Sequence, residues 1–283
     1  MTRDTTPADV TVVIATRNRR DRLLRTLSQL RALPEAPPII VVDNGSCDGS
    51  VAAVRRHEPD VQVAALSENR GSAARTVGVE LARSPYVAFS DDDSWWRPGA
   101  LTRAVHHLDA HPDLGLVAAK ILVGTDERLD PTSAEMARSP LSCPRDLPGP
   151  PVLGFVACGA VVRRRAYLQV GGFSALLFFA SEERLLALDL AVAGWDLAYA
   201  PDVLAVHHPD RGRPGDEARA ALVLRNDLLT DWMRRPLSVA LRSSCSLAGR
   251  ALHDRHARSG LAGALRRAPA ALRCRHRLPR AVE

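Results

Sequence analysis

Three consecutive aspartates, Asp91, Asp92 and Asp93, follow an apolar run in the segment VAFSDDDSWWRPGAL. Adjacent carboxylates repel one another unless a cation lies between them. Mg²⁺ and Mn²⁺ prefer oxygen ligands and commonly bridge carboxylates to phosphates. In an irregular turn Asp91 and Asp93 can point to one site, whereas a regular strand would send Asp92 to the opposite face. A solvated surface turn also explains the triplet, so the metal hypothesis needs other chemistry beside it.

Two further pairs of side chains could serve such a site. Glu182 and Glu183 open the helical segment EERLLALDLAVAGW, although acids in a first helical turn also suit the helix dipole without any function. His207 and His208 follow the last strand-like run, and imidazole is a ligand for Mn²⁺-type cations. A loop histidine without a metal is the alternative. The role of each pair therefore depends on where the fold places it.

The elements that must position these residues alternate between strands and helices. VTVVIA, IIVVD, VQVAAL and PYVAFS are short apolar runs typical of strands covered on both faces, and the segments between them have helical spacing. The alternation predicts an α/β fold with a mostly parallel sheet flanked by helices. Ligands of such sheets bind beyond the carboxyl ends of the strands. Three polar clusters fall there, at Thr16 to Arg19, Asp43 to Ser46 and Asp91 to Asp93, so we expect them to meet at one edge.

The second half of the chain is less regular. GTDERLDPTSAEMARSPLSCPRDLPGPP predicts a long loop, and VLGFVACGAVVRRRAYLQVGGF a strand followed by a helix. A helix that Gly194 ends comes next, then two short strands in DLAYAPDVLAVHH, and arginine-rich helices follow from about Gly215. We expect one domain over residues 1–210 and a helical C-terminal extension over residues 211–283.

The extension is strongly basic. It holds 16 arginines against 6 acidic residues, or +10, whereas the net charge of the whole chain is +6. LRNDLLTDWMRRPLSVAL can lay an amphipathic surface on anionic lipid, and a solvated appendage covering part of the sheet is the alternative. Trp232 is the only aromatic residue of the extension, which argues against a stacking platform for nucleic acid. We expect no nucleic-acid partner and a peripheral membrane contact.

Compartment and membrane topology follow from what the sequence lacks. The first ten residues, MTRDTTPADV, contain no apolar stretch of a secretory signal. No apolar run approaches the roughly 18 residues of a membrane span. The five cysteines form no CxxC pair. We expect a cytoplasmic protein that can meet the inner face of the membrane.

Four segments carry a resemblance to a known family: TVVIATRNRRDRLLRTLSQL, IIVVDNGSCDGS, ENRGSAARTVGVELARSPYVAFSDDD and GGFSALLFFASEERLLALDLAVAGW. Their order resembles that of family 2 glycosyltransferases, which have the GT-A fold, a nucleotide-binding Rossmann-like sheet. The resemblance implies an inverting transfer of one sugar from a UDP-, dTDP- or GDP-sugar to a carbohydrate, lipid-linked or small-molecule acceptor, assisted by Mn²⁺ or Mg²⁺. Cell-surface polysaccharide, glycolipid and secondary-metabolite pathways all fit. No QxxRW segment follows, which excludes the processive subgroup.

The resemblance also implies roles for individual residues. The donor-binding positions are Thr16, Arg19, Asp43, Arg75, Asp91 and Asp92. Among them Asp43 matches the residue that contacts the base, Arg75 a basic position near the nucleotide, and Asp91 the residue that faces the ribose. Asp93 matches the metal ligand, with Asp91, His207 and His208 as further candidate ligands.

The catalytic base of the family opens the helix after the GGF segment. Glu183 aligns with that base and Glu182 with its acceptor-side neighbour. Glu-Asp is the more usual pair, and the longer side chain leaves open which glutamate acts. Leu185 and Asp189 replace an acid and an arginine of the family, so acceptor specificity does not follow from the resemblance.

Two other functions compete with this prediction. A metal-dependent nucleotidyltransferase also uses acids and an α/β sheet, but it needs a glycine-rich phosphate loop that ATRNRRDR does not provide. A non-catalytic, membrane-associated protein of the same fold is the second alternative, against which the intact carboxylates argue.

Trp95 and Trp96 could stack on a sugar or pack in the core, and Gly159, Gly171 and Gly172 could shape the acceptor side.

Overall fold

The computed structural model describes residues 9–142, 145–209 and 216–279. Its first half is a parallel sheet with helices between the strands. The elements are β1 (Val10–Thr16), α1 (Arg20–Arg31), β2 (Ile39–Asp43), α2 (Ser50–His57), β3 (Gln62–Ala65), α3 (Ala74–Leu81) and β4 (Tyr86–Asp91). β1 pairs in parallel with both β2 and β4, with Thr16 beside Asp43 and Ala15 beside Asp91. The predicted meeting of three strand ends at one edge is therefore confirmed.

The second half extends the sheet with antiparallel strands. It comprises β5 (Ser94–Trp96), α4 (Ala100–Ala110), β6 (Leu114–Val123), β7 (Arg128–Leu129), α5 (Pro131–Met136), β8 (Ala160–Arg163), α6 (Arg164–Gln169), α7 (Glu182–Val192) and β9 (Asp196–His207). The strand order is β3-β2-β1-β4-β8-β6-β9-β5, with β7 on β6. β8 runs antiparallel to both β4 and β6. Only Asp92 and Asp93 separate β4 from β5, so the sheet curls to bring its far end back to β4.

Two details of the second half differ from the prediction. β9 is one strand of twelve residues with an irregular register near Pro201 rather than two short strands. The predicted long loop contains β7 and the short helix α5, which Asp130 caps by accepting hydrogen bonds from the backbone N–H groups of Thr132 and Ser133. Cys143 and Pro144 of that loop lie outside the described residues.

Both faces of the sheet are covered, which explains the continuous apolar strands. Val12 and Ile14 pack under α1 and α4, while Val13 and Phe89 pack under α3, α6 and α7. Trp96 is buried in the first of these cores, so it belongs to the core and does not face a ligand.

Three helices follow the sheet: α8 (Asp216–Arg234), α9 (Leu237–Ala251) and α10 (Arg255–Arg273). They share a third core, which also takes in Leu177 and Leu185. The predicted boundary at residues 210 and 211 lies outside the described residues, and the division into two domains stays a prediction. Among the described helices, none combines the length and apolarity needed to cross a bilayer.

Candidate functional site

A cavity of about 380 Å³ opens at the carboxyl ends of β1 and β4. Nine of the predicted site residues line it: Thr16, Arg19, Arg75, Asp91, Asp92, Asp93, Glu182, Glu183 and His207. Asp43 and His208 do not. Residues from both halves of the chain thus face one space, at the edge where ligands of such sheets bind.

Asp92 is directed toward α1 and away from solvent. Its carboxylate accepts a hydrogen bond from Thr16 Oγ1 at 2.9 Å and lies 2.9 Å from Arg19 Nε. Its backbone oxygen accepts one from Thr26 Oγ1 at 2.9 Å. Burial raises the pKa of Asp92 to about 7, although the Arg19 charge acts in the opposite direction. These contacts fix the turn between β4 and β5, which sets the directions of its two neighbours.

Asp93 is held between arginines and a histidine. Its carboxylate lies 3.0 Å from Arg19 Nη2 and 3.9 Å from Arg22 Nη1, and its other oxygen lies 3.3 Å from His207 Nε2. Burial lowers the pKa of His207, but the hydrogen bond and charge of Asp93 outweigh it and raise that pKa overall. Asp93 therefore orients the His207 ring at the cavity wall.

Asp91 is the most exposed of the three aspartates. It forms an ion pair with Arg75, whose guanidinium is buried and lies 5.7 Å from the centre of the Phe173 ring. Burial lowers the pKa of Arg75, but the charges of Asp91 and Glu182 raise it above its ordinary value. Arg75 thus remains a fixed cation beneath the cavity.

One group of side chains has the donor atoms for a divalent cation. A carboxylate oxygen of Asp91, a ring nitrogen of His207 and the Cys158 thiol lie within 4.8 Å of one another. Carboxylate oxygens suit both Mn²⁺ and Mg²⁺, and imidazole is a further ligand for Mn²⁺-type cations, whereas a thiol suits neither. Burial, together with the Asp91 and Asp93 charges, raises the pKa of Cys158. Asp91 and His207 therefore fit the expected cation.

Glu182 and Glu183 begin α7 on the other side of the cavity. Glu182 is 3% exposed, and its Oε2 has no hydrogen-bond partner among the described residues. Burial raises the pKa of Glu182 to about 8, the Glu183 charge adds to this rise and Arg75 opposes it. Glu183 Oε1 lies 3.4 Å from the backbone N–H of Ala157, and burial raises the pKa of Glu183 as well. Both carboxyl groups thus hold a proton more tightly than an exposed glutamate does.

Glu183 also lines a second cavity, of about 320 Å³. The walls of this cavity come from α5 and from the segment before β8, and they include Met136, Ser139, Val152 and Phe155. Glu182 does not line it. Glu183 is thus the carboxylate that lies between the two spaces.

The chain just before α7 adopts an unusual backbone conformation. Phe178, Ala180 and Ser181 have φ angles of 66°, 71° and 61°, which lie in the left-handed region. A residue other than glycine that adopts this conformation costs the fold of order 1–3 kcal/mol. Asn226 of α8 is fully buried, and its side-chain amide contacts the carbonyl oxygens of Leu177, Phe179 and Ala180. The C-terminal helices therefore hold the segment that positions both glutamates.

The remaining predicted residues lie elsewhere. Asp43 is 3% exposed, and one of its oxygens accepts a hydrogen bond from the Ser46 backbone N–H at 2.9 Å while the other has no partner among the described residues. His208 packs against Trp95, with ring centres 4.7 Å apart, outside the main cavity. A Cβ on Gly159 would lie 2.7 Å from Ile121, so the need for glycine there comes from packing.

The sequence did not reveal three cavity features. Cys158, Arg219 and Phe179 line the cavity, with the Arg219 guanidinium 5.4 Å from the centre of the Phe179 ring. No local pattern marks Arg219, because only the packing of α8 against the segment before α7 brings it there.

Comparison with known proteins gives a consistent result. A family model described as Glycosyl transferase family 2 matches residues 11–171. The chain is 26% identical over 277 residues to an N-acetylglucosaminyl-diphospho-decaprenol L-rhamnosyltransferase of Mycobacterium tuberculosis, covering 83% of this chain and 90% of that protein. It is 32% identical over 209 residues to a pre-mycofactocin glycosyltransferase of the same species, covering 70% of this chain and 42% of that protein. It is also 33% identical over 99 residues to the succinoglycan biosynthesis protein ExoU of Rhizobium meliloti, covering 34% of this chain and 29% of that protein.

Solved structures with the same fold include two with bound donors. A mannosyltransferase from Pyrobaculum calidifontis, in complex with GDP-Man and Mn²⁺, has a TM-score of 0.58 at 21% identity, covering 94% of this chain and 72% of that chain. S. aureus TarS 1–349, in complex with UDP-GlcNAc, has a TM-score of 0.61 at 17% identity, covering 78% of this chain and 66% of that chain. At these identities the likeness concerns the fold alone, and it confirms the predicted GT-A architecture.

Proposed function

Because this chain belongs to glycosyl transferase family 2 and is a glycosyltransferase, we propose that it moves one sugar from a nucleoside-diphosphate sugar to an acceptor hydroxyl with inversion, assisted by a divalent cation. One cavity brings together the aspartates, a buried arginine and two proton-accepting glutamates, and this convergence carries the proposal. Diphosphate departure and acceptor activation need these two kinds of group.

On the donor side, Asp91 and His207 are the residues that would hold Mn²⁺ or Mg²⁺. When bound, such a cation supplies positive charge beside the departing diphosphate. Arg75 keeps Asp91 in place through its ion pair, and Asp93 orients His207. Buried Asp43 lies outside the cavity, so its unpaired oxygen would reach a nucleotide base only after a shift of the turn that follows β2.

On the acceptor side, Glu183 is the proposed base and Glu182 the second candidate. Inversion requires that the acceptor oxygen attacks from the face opposite to the leaving diphosphate, so the base must lie beside the acceptor hydroxyl, where the donor and acceptor spaces meet. Glu183 lines both cavities, whereas Glu182 lines only the first. We therefore assign the 320 Å³ cavity to the acceptor. Burial keeps the pKa of Glu183 raised, which favours uptake of the acceptor's proton.

We also propose a lipid-linked acceptor in cell-surface polysaccharide or glycolipid synthesis, reached at the cytoplasmic face of the membrane. The M. tuberculosis rhamnosyltransferase is named for a decaprenol-linked substrate. The helices α9 and α10 and the turn between them expose Leu237, Leu241, Leu252, Leu265 and Leu272 in the part of the chain that carries the +10 charge. Leucines beside arginines suit an anionic lipid surface. A small-molecule acceptor in secondary metabolism is the alternative.

A panel of UDP-, GDP- and dTDP-sugars, each with and without Mn²⁺, tests the donor proposal by thermal unfolding. Specific binding at a hundredfold excess over Kd stabilises the fold by about 2.7 kcal/mol. We expect one nucleotide class to stabilise the protein only when Mn²⁺ is present, and transfer from it to give a product of inverted anomeric configuration. Stabilisation by no donor would contradict the proposal, and release of pyrophosphate would favour a nucleotidyltransferase.

Vesicle binding tests the membrane contact. The double variant Leu237→Ser and Leu241→Ser should bind vesicles that contain an anionic lipid about thirtyfold more weakly, because each leucine contributes of order 1 kcal/mol when it enters the lipid. Leu81→Ser, at an exposed leucine of α3, is the matched control. Equal binding by all three proteins would contradict a membrane contact through α9.

A further inference from the structure

Cys158 is a buried thiol in the wall of the main cavity, just before β8. Its Sγ, a carboxylate oxygen of Asp91 and a ring nitrogen of His207 lie within 4.8 Å of one another. The three residues come from the end of β4, the segment before β8 and the end of β9. The fold therefore assembles a sulfur, a nitrogen and an oxygen ligand from distant parts of the chain.

This set of donor atoms favours a different class of cation from the one that assists sugar transfer. Mg²⁺ and Mn²⁺ choose oxygen ligands, whereas Zn²⁺ and Co²⁺ bind thiolate and imidazole well. Zinc sites with three protein ligands of the Cys, His and carboxylate types leave a fourth position for water or substrate. Zn²⁺ also binds a given nitrogen and sulfur site more tightly than Mn²⁺ does.

We propose that Asp91, Cys158 and His207 form a site for a thiophilic divalent cation such as Zn²⁺, which displaces Mn²⁺ or Mg²⁺ and inhibits the enzyme. On binding, the Cys158 S–H bond breaks, its proton goes to solvent and a sulfur–zinc bond forms, with no change of oxidation state. The binding of the cation does not depend on the proposed function. The inhibition does, because it requires that the protein transfers a sugar.

The surroundings of the three ligands support the site. The Asp93 carboxylate, 3.3 Å from His207 Nε2, is the kind of partner that orients metal-binding imidazoles and strengthens them as ligands. Arg75 contacts one carboxylate oxygen of Asp91, which leaves the other for a cation. The other cysteines that the structure describes, Cys47, Cys245 and Cys274, are exposed, so they do not compete within the cavity.

Direct cation binding to the full chain, without any donor, tests the proposal. One equivalent of Co²⁺ should produce a thiolate-to-cobalt charge-transfer absorption, and Zn²⁺ should abolish it. Cys158→Ser should lose this absorption and bind Zn²⁺ at least about tenfold more weakly, while its Mn²⁺ affinity does not fall. Cys274→Ser, at an exposed cysteine, is the matched control and should behave as the wild type does.

Two results would overturn the proposal. One is a wild-type cobalt spectrum without a sulfur band, which is decisive even when Cys158→Ser fails to fold. The other is equal Zn²⁺ affinity in the wild type and in Cys158→Ser. If Zn²⁺ binds as expected but leaves transfer unaffected, the inhibition is refuted. Absence of any transfer activity, by contrast, would refute the proposed function and leave the cation result intact.

Discussion

Two carboxylate clusters face the same cavity, and they differ in how their charge is neutralised. Each aspartate of the β4–β5 turn has a cationic partner, Arg75 for Asp91 and Arg19 for Asp92 and Asp93. Of the glutamates that open α7, Glu182 is buried and Glu183 half-buried. Arg75 is their shared opposing charge, and the pKa of each is raised. The paired cluster is suited to holding a charged ligand, and the second to receiving a proton.

The two clusters also differ in how the chain holds them. Ion pairs and hydrogen bonds from the end of β1, from Arg19 and from α1 fix the aspartate turn. The glutamates follow a left-handed segment that Asn226 of α8 holds through backbone carbonyl groups. We infer that binding and chemistry can be damaged separately, by changes in different elements.

Replacing Glu183 should have the largest effect. Glu183→Gln cannot accept a proton, so kcat should fall about 10²- to 10⁴-fold, while donor-induced thermal stabilisation stays intact. Glu135→Gln, at an exposed acid that also lines the acceptor cavity, is the matched control. Full activity of Glu183→Gln together with inactivity of Glu182→Gln would transfer the role of base to Glu182. Full activity of both would exclude the glutamates.

Asp91→Asn should affect binding instead. The variant loses a cation ligand and the partner of Arg75 at once, so the Mn²⁺-dependent stabilisation by donor, about 2.7 kcal/mol at a hundredfold excess, should disappear. Thermal unfolding with and without Mn²⁺ measures it, and Asp126→Asn on the surface serves as control. If donor binding to Asp91→Asn still depends on Mn²⁺, Asp91 is not a ligand of the cation.

Asn226→Ala should impair turnover without touching either carboxylate cluster. Because alanine cannot donate hydrogen bonds to the carbonyl groups before α7, the left-handed segment can relax and move the glutamates. A displacement of about 1 Å can cost roughly 10² in rate. We expect kcat to fall while KM for the donor stays within about twofold. An equal loss of donor binding would mean that α8 supports the whole cavity rather than the glutamates alone.

Asp93→Asn should weaken Mn²⁺ binding without abolishing it. Asp93 acts on the cation through His207, and loss of such an orienting carboxylate typically costs 10–100-fold in metal affinity. Direct titration with Mn²⁺ compares it with Asp91→Asn. If Asp93→Asn removes Mn²⁺ binding as completely as Asp91→Asn does, Asp93 is itself a ligand, as the sequence predicted.

Glu182 should also make stability depend on pH. Because the pKa of Glu182 is raised from 4.5 to about 8, its contribution to stability is present below pH 4.5 and is lost as pH rises through about 8. Glu182→Gln removes this dependence. The stability of the variant relative to the wild type should therefore grow, by up to a few kcal/mol, between about pH 5 and 8. Urea unfolding across this range measures the difference, and a constant difference would contradict the raised pKa.

Much of the aspartate side could be predicted from the sequence. Apolar runs located the ends of β1, β2 and β4, and the rule for parallel strands brought Thr16, Asp43 and Asp91 to one edge. The inward orientation of Asp43 could not be foreseen, because the hydrogen bond to Ser46 depends on the turn. His207 and His208 diverge because neighbouring residues at the end of a strand face opposite sides.

The sequence predicted the helix that the two glutamates open, but it did not predict the contacts that hold the start of this helix in the fold. The helix beginning at Glu182 followed from its apolar spacing and from Gly194, yet nothing local indicates that Asn226 holds its start. Cys158 reaches Asp91 because β8 pairs antiparallel with β4, and hydrophobic periodicity does not reveal the order of strands in a sheet. The missed residues are thus those placed by long-range packing.

A crystal structure with Mn²⁺ and the nucleoside diphosphate identified by the donor panel tests the division of roles most directly. The account predicts an anomalous manganese peak beside Asp91 and His207, contacting the diphosphate, with Glu183 facing the open side where the sugar would lie. A nucleotide bound outside this cavity, or a manganese peak remote from Asp91, would contradict it.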